Sequence, residues 1–179
     1  MISKKIFLLI IEKYLCEDSS GILWIGTQNG LIKFNPETNQ HKYYFNETNN
    51  EFSLSGNFVG KVYVDKSNTL WVGTGDCLHK YDRANDRFIR FINPYTINSK
   101  DKTITDILED RNGDIWITTL LNGLQKFDRK NSTFTIYKHD ESNPESIGSN
   151  ILFSLYEDKT GILWIGTEGA GVNKLNRMR

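Results

Sequence analysis

Every tryptophan in this chain sits in the same short phrase. GILWIGT surrounds Trp24, NTLWVGT surrounds Trp71, GDIWITT surrounds Trp116 and GILWIGT surrounds Trp164, at intervals of 47, 45 and 48 residues. A catalytic motif is needed once per active site, whereas a structural motif is needed once per structural unit. A period near 46 residues therefore marks stacked supersecondary units, none of which buries its own apolar faces alone.

An acidic turn precedes each phrase: Glu17-Asp18, Val64-Asp65, Glu109-Asp110 and Glu157-Asp158. An apolar run follows it: GLIKFN at 30–35, CLHKYD at 77–82, GLQKFD at 123–128 and GVNKLN at 171–176. Three repeats add a further run, HKYYF at 41–45, RFIRFI at 87–92 and TFTIY at 133–137. The runs are short, rich in β-branched and aromatic residues, and bounded by Gly, Asn and Asp. None sustains a 3.6-residue period. They predict four antiparallel strands per repeat: A ending in the acidic pair, B carrying the Trp, C carrying the GLxKF pattern, and an aromatic D. Tight polar turns join A to B and B to C. Longer polar links at 46–57, 93–102 and 138–150 join D to the next A. A four-stranded sheet repeated along a chain is a propeller blade. The expected fold is all-β, a β-propeller of about four four-stranded antiparallel blades. Residues 12–179 form the propeller domain, with repeats near 12–58, 59–103, 104–150 and 151–179.

The fourth repeat stops before strand D. The segment KIFLLII at 5–11 precedes strand A of the first repeat, so residues 1–11 are expected as an N-terminal strand that completes the last blade beside Val172–Asn176. That arrangement closes a four-bladed ring. The alternative is a partial propeller, whose exposed blade faces would drive association into a homodimer. Glu12 falls where Val59, Ile104 and Leu152 stand in the other repeats, so the first strand A is irregular.

Recurring residues are read as structural. Trp24, Trp71, Trp116 and Trp164 are expected between successive blades, and burying about 150–250 Å² of indole makes each a major packing element. Gly26, Gly73 and Gly166 follow two residues after their tryptophans and are expected to make room for an adjacent aromatic, a role for which Thr118 in the third repeat offers no counterpart. Asp18, Asp65, Asp110 and Asp158 are expected to cap turns, because an acid/base pair copied into nearly every blade serves the blade. Lys33, Lys80, Lys126 and Lys174 recur once per strand C, either as solvent-facing edge residues or as a ring lining the channel.

Basic and acidic residues number 22 each, so no global field draws in nucleic acid or an anionic membrane surface. The opening MISKKIFLLIIEK resembles the start of a secretion signal, but its apolar run is six residues and no small-residue cleavage site follows. It is too short to span a membrane. Cys16 and Cys77 read as free thiols. His41, His79 and His139 lack the spacing of metal ligands. No nucleophile-elbow, phosphate-loop or dinucleotide motif appears. The chain is therefore expected to hold no metal and no cofactor, and to be no enzyme.

A recognition site must break the repeat symmetry. The B–C turns and D–A links emerge at one end of the blades, and their residues vary. Gln28, Asn29, Asp76, Tyr95, Asn122 and Glu168 are the candidate ligand-binding residues, with Phe52 and His139 on the same links. Aromatics with amide and carboxylate neighbours suit sugar recognition by stacking and hydrogen bonding. Solvated, variable loops are the plain alternative.

The phrase EDxxGxLWIGTxxGLxKFN, with SLSGN at 53–57 or SIGSN at 146–150 leading into the next strand A, resembles the two-component regulator propeller repeat from residue 12 to 179. That resemblance implies a periplasmic sensor region of a hybrid histidine kinase, responding to a carbohydrate or carbohydrate-derived signal. Relatives of this kind have seven-bladed propellers, usually two in series, and this chain has about four repeats and neither kinase nor DNA-binding segment. It is a fragment of a longer sensor or a short relative. Two other readings stay open: a protein-interaction or dimerisation scaffold, and a propeller enzyme acting on polysaccharide.

Overall fold

Among the described residues the short apolar runs become strands. A computed structural model describes residues 14–175. The first repeat forms β1 (Tyr14–Glu17), β2 (Leu23–Thr27), β3 (Gly30–Asn35) and β4 (Gln40–Tyr44). The second forms β5 (Val59–Val64), β6 (Leu70–Thr74), β7 (Leu78–Asp82) and β8 (Arg87–Phe91). The third forms β9 (Ile104–Glu109), β10 (Ile115–Thr119), β11 (Leu124–Asp128) and β12 (Thr133–Tyr137). The fourth forms β13 (Leu152–Glu157), β14 (Leu163–Thr167) and β15 (Val172–Leu175). Each sheet is an antiparallel meander in chain order, and a single 3-10 turn, Pro94–Thr96, interrupts the link from β8 to β9.

Consecutive sheets pack through their first strands. β5 lies against β1 and β2, β9 against β5 and β6, and β13 against β9 and β10. Among the described residues no strand of the fourth sheet packs on the first sheet as consecutive sheets pack on each other, so these residues form a partial propeller. The N-terminal strand expected at residues 1–11 lies outside the described residues.

One apolar cluster fills each inter-blade space. Trp24 packs with Val59, Val62, Leu70 and Tyr81 of the second blade. Trp71 packs with Ile104, Ile107, Ile115 and Phe127 of the third, and Trp116 with Leu152, Leu155, Leu163 and Ile165 of the fourth. These three indoles wedge between sheets because strand B presents them to the following blade.

The glycines two residues later serve a different purpose from the one expected. A Cβ on Gly26 would stand 2.7 Å from Val59 Cγ1, and one on Gly73 would stand 2.4 Å from Ile104 Cγ2. The space is taken by a β-branched residue opening the next strand A, not by an aromatic. A Cβ on Gly166 would meet Ser154 Oγ of its own blade at 2.4 Å. After the third blade the residue that opens the next strand A is Leu152, branched one carbon further out. There Thr118 fits, and its hydroxyl accepts from Thr105 Oγ1 at 2.8 Å. Gly73→Ala is expected to destabilise the fold by about 1–3 kcal/mol, since Ile104 is held by its own blade and cannot swing aside. A urea midpoint within error of the parent would contradict this close fit.

Candidate functional site

The two ends of the blades do different work. At the A–B end, each recurrent aspartate spends both carboxylate oxygens on its own blade. Asp18 Oδ1 accepts from the Ser20 and Ile22 amides, and its Oδ2 accepts the Trp24 indole N–H at 2.9 Å. The same pattern holds Trp71 to Asp65, Trp116 to Asp110 and Trp164 to Asp158, each at 2.8 Å. Turn and tryptophan are thus one unit, with the carboxylate setting the orientation of the indole. Burial pushes the Asp18 carboxyl up, but the Trp24, Ser20 and Arg83 bonds outweigh this and hold it below the usual range.

An arginine after strand C ties the first two of these units to the following blade. Arg83 donates to Asp18 Oδ2 at 2.9 Å, and Arg129 to Asp65 Oδ2 at 2.9 Å. The matching residue of the fourth repeat, Arg177, lies outside the described residues, and the first repeat has Pro36 there. The glutamates of the acidic pairs reach back to the preceding blade. Glu109 accepts from the Lys66 amide and Glu157 from the Arg111 amide, both at 2.8 Å. Three of the four strand-C lysines pack on their own blades. Lys33, Lys126 and Lys174 stand over the rings of Trp24, Trp116 and Trp164 at 5.4–5.9 Å, which are cation–π contacts on the cross-strand partner.

A second polar knot joins the outer strands of the first two blades. Asp86 accepts the hydroxyls of Tyr44 and Tyr81 and the Lys42 ammonium. Partial burial pushes the Asp86 carboxyl up, but these three donors outweigh it and bring it down to about 2. A depressed carboxyl stabilises the fold above the unfolded value near 4, and that contribution fades as pH falls from about 4 toward 2. The parent is expected to exceed Asp86→Asn by about 1 kcal/mol at pH 6, after solvent screening, and by almost nothing at pH 2. A difference independent of pH in urea melts would refute the assignment.

At the opposite end, B–C turns and D–A links meet as expected from their positions in the meander. The Gly30 amide donates to the Asn57 carbonyl, Gly75 to Phe58, Leu120 to Thr103 and Glu168 to Ile151. This end carries the candidate recognition residues. Gln28, Asn29, Asp76 and Glu168 are exposed at the tips of their turns. Tyr95 is 74% exposed on the 3-10 turn, its amide anchored to Asn93 Oδ1. It borders a broad depression of about 570 Å³ with Phe134, Ile136 and Lys138. Asn122 stands apart, at 1% exposed, with its side chain donating to the Asp101 carbonyl and accepting from Ser99. It braces the loop that presents Tyr95. The residues share an end rather than a pocket, one or two per blade.

Three comparisons bear on this architecture. The two component regulator propeller profile matches residues 10–29, 53–76, 98–120 and 146–169, half of the chain, one match per blade. This chain belongs to the two component regulator propeller family. A histidine kinase P4 of Formosa agariphila is 35% identical over a stretch covering 42% of this regulator propeller and 6% of the kinase. Two extracellular domains of hybrid two component systems from B. thetaiotaomicron share the fold. One has a TM-score of 0.77 at 23% identity, over 94% of this chain and 23% of that one. The other has a TM-score of 0.74 at 22% identity, over 89% and 20%. The regulator propeller thus spans less than a quarter of the length of these relatives.

One further constellation in the regulator propeller has the residue types of a nucleophile and its base. Cys77 Sγ lies 3.7 Å from His79 Nε2 and 3.3 Å from Ser55 Oγ. The imidazole is already committed. Its Nε2 accepts the Ser55 amide at 2.9 Å, so Nδ1 carries the proton and donates to the Val72 carbonyl at 3.1 Å. Burial pushes His79 down to about 4 and pushes the Cys77 thiol up. A neutral histidine with both nitrogens bonded does not activate a thiol, and the group is a brace between β7 and the preceding link. Cys16 is likewise a free thiol, pushed up to about 12 by burial and by Asp18. Among the described residues no cluster of His, Cys, Asp and Glu could hold a metal ion, and no helix is long and apolar enough to cross a membrane.

Proposed function

We propose that this regulator propeller is a non-catalytic, ligand-binding sensor module, the periplasmic input region of a two-component regulator of carbohydrate use. The observation that carries the reading is the division of labour between repeated and irregular residues. Asp, Trp, Arg and Gly of the repeat are consumed by turns and blade contacts, whereas Gln28, Asn29, Asp76, Tyr95 and Glu168 are exposed at one end with side chains available to a ligand. The kinship with sensor kinases and with extracellular domains of hybrid two component systems supports the same reading. Its ligand is an oligosaccharide or carbohydrate-derived signal, stacked on Tyr95 and hydrogen-bonded by the turn residues. Any kinase activity belongs to a longer parent protein. A glycan array followed by calorimetry tests this, with Tyr95→Ala expected to weaken any bound glycan at least tenfold. Absence of binding to every glycan would remove the proposal.

A second reading, an interaction or dimerisation scaffold, is favoured by exposed apolar residues on the first and last blades. Leu15 on β1 is 63% exposed and Tyr156 on β13 is 62% exposed. Concentration-dependent dimerisation without glycan binding, measured by sedimentation, selects it. A propeller enzyme acting on polysaccharide is the weakest reading, because the acidic pairs are spent on turns and blade contacts. Turnover of an oligosaccharide would revive it.

A further inference from the structure

The D–A links do not treat the second and third blades alike. The link at 46–57 lies along the outer edge of β8. The Phe88 amide donates to the Phe52 carbonyl at 2.8 Å, and Arg90 donates to the carbonyls of Asn50, Ser53 and Leu54, each at 2.9 Å. The link at 93–102 precedes the third blade in the same way, but it is held elsewhere. Asn93, which caps its 3-10 turn, donates to Gln125 at 2.9 Å, and Ser99 and the Asp101 carbonyl are tied to Asn122 on the B–C turn. Between this turn and β12 is the depression of about 570 Å³ lined by Tyr95, Phe134, Thr135, Ile136 and Lys138.

The strand register identifies the atoms of β12 that face outward. Phe88 pairs with Tyr81 and Phe134 with Phe127, each one step beyond a hairpin closed by Asp82–Arg87 or Asp128–Thr133. The Phe88 amide points off its strand to Phe52. In an antiparallel ladder such positions alternate, so the amides and carbonyls of Phe134 and Ile136 leave the outer edge of β12. The Phe134 ring itself is turned inward onto Phe127, with centroids 4.9 Å apart. Tyr95 adds an exposed ring, and it alone among the lining residues lies off β12 and its continuation. Lys138 adds an exposed ammonium that makes no ion pair among the described residues, and no lining residue is acidic.

We propose that this depression takes a linear, anionic oligosaccharide, one bearing carboxylate or sulfate groups. The inference rests on the reading of the module as a carbohydrate sensor and narrows its ligand class. A sugar ring stacks on Tyr95. Hydroxyls, each both donor and acceptor, meet the amides and carbonyls of Phe134 and Ile136. The anionic group pairs with Lys138 in a charge-assisted bond. The wall opposite β12 is a phenol ring rather than a row of pockets for alternate side chains, which favours a sugar over a peptide strand.

The test screens the full chain against an array of uronate, sulfated and neutral oligosaccharides of matched length. Acidic members are expected to bind, and their carboxyl-reduced or desulfated counterparts to bind at least tenfold more weakly; the two pairs separate carboxylate from sulfate. In calorimetry Lys138→Gln is expected to weaken the acidic ligand about tenfold, as loss of a charge-assisted bond does, and to leave the neutral counterpart unchanged. Amide hydrogen exchange is expected to slow at Phe134 and Ile136 when the acidic ligand binds. Equal binding of acidic and neutral glycans, indifference to Lys138→Gln, or protection confined to other segments overturns this inference and leaves the carbohydrate-sensor reading standing. No binding of any glycan removes both. Concentration-dependent self-association that protects the β12 amides and excludes the acidic ligand also overturns it, by giving this edge to a second copy of the chain.

Discussion

Replacing Trp116 by alanine is expected to lower the unfolding free energy by about 3–5 kcal/mol, the range for truncating a buried aromatic. The indole is 2% exposed and packs against Leu152, Leu155, Leu163 and Ile165 of the fourth blade. Its N–H also donates to Asp110 Oδ2 at 2.8 Å, so the substitution removes a donor from a fully buried carboxylate. Trp164 supplies an internal control. It makes the same bond to Asp158, but it is only half-buried and no following blade packs on it among the described residues. Trp164→Ala is expected to cost less than half as much. Urea unfolding followed by far-ultraviolet circular dichroism measures both. Equal losses would mean that packing between blades is not what the tryptophans contribute.

The same contrast explains what could be read from the sequence. Strands and turns were legible because alternating apolar runs and Asp/Gly punctuation are local properties, repeated often enough to suppress accident. The inter-blade position of the tryptophans followed from the period. Contacts between repeats were harder, since they join residues far apart in the chain, 43 positions for Lys66 and Glu109 and 65 for Asp18 and Arg83. A signal was nevertheless present. Aspartate precedes tryptophan by six residues in all four repeats, and an arginine follows strand C in three, at 83, 129 and 177. Constant spacing marked these residues as partners. The glycines were misread because a short residue shows that something approaches without showing what. Only the register of the neighbouring strand identifies Val59 and Ile104 as the intruders. At the candidate face, Asn122 looked like Asn29, yet it is buried by the 3-10 loop, whose path no local pattern specifies.

Arg129→Met is expected to destabilise the fold by about 3–5 kcal/mol, although it replaces a charged side chain by an apolar one of similar length. The guanidinium bridges two acidic groups from different blades, Asp65 Oδ2 at 2.9 Å and Glu109 Oε1 at 2.8 Å, while lying over the Trp71 ring at 5.5 Å. The Asp65 side chain is fully shielded from solvent and that of Glu109 is 5% exposed, so neither carboxylate can turn to water when the cation is lost. The cost is therefore the desolvation of an unpaired charge rather than the net worth of an ion pair. Arg129→Lys keeps the charge but not the fork, and a single ammonium cannot serve both carboxylates from one position, so an intermediate loss is expected. In an Asp65→Asn background the carboxylate charge is already absent, and Arg129→Met is expected to cost at least 1 kcal/mol less than in the parent. Additive losses across this cycle, or a loss below 1 kcal/mol for Arg129→Met alone, would show that the blades are held by apolar packing and that the recurrent arginine is ordinary surface.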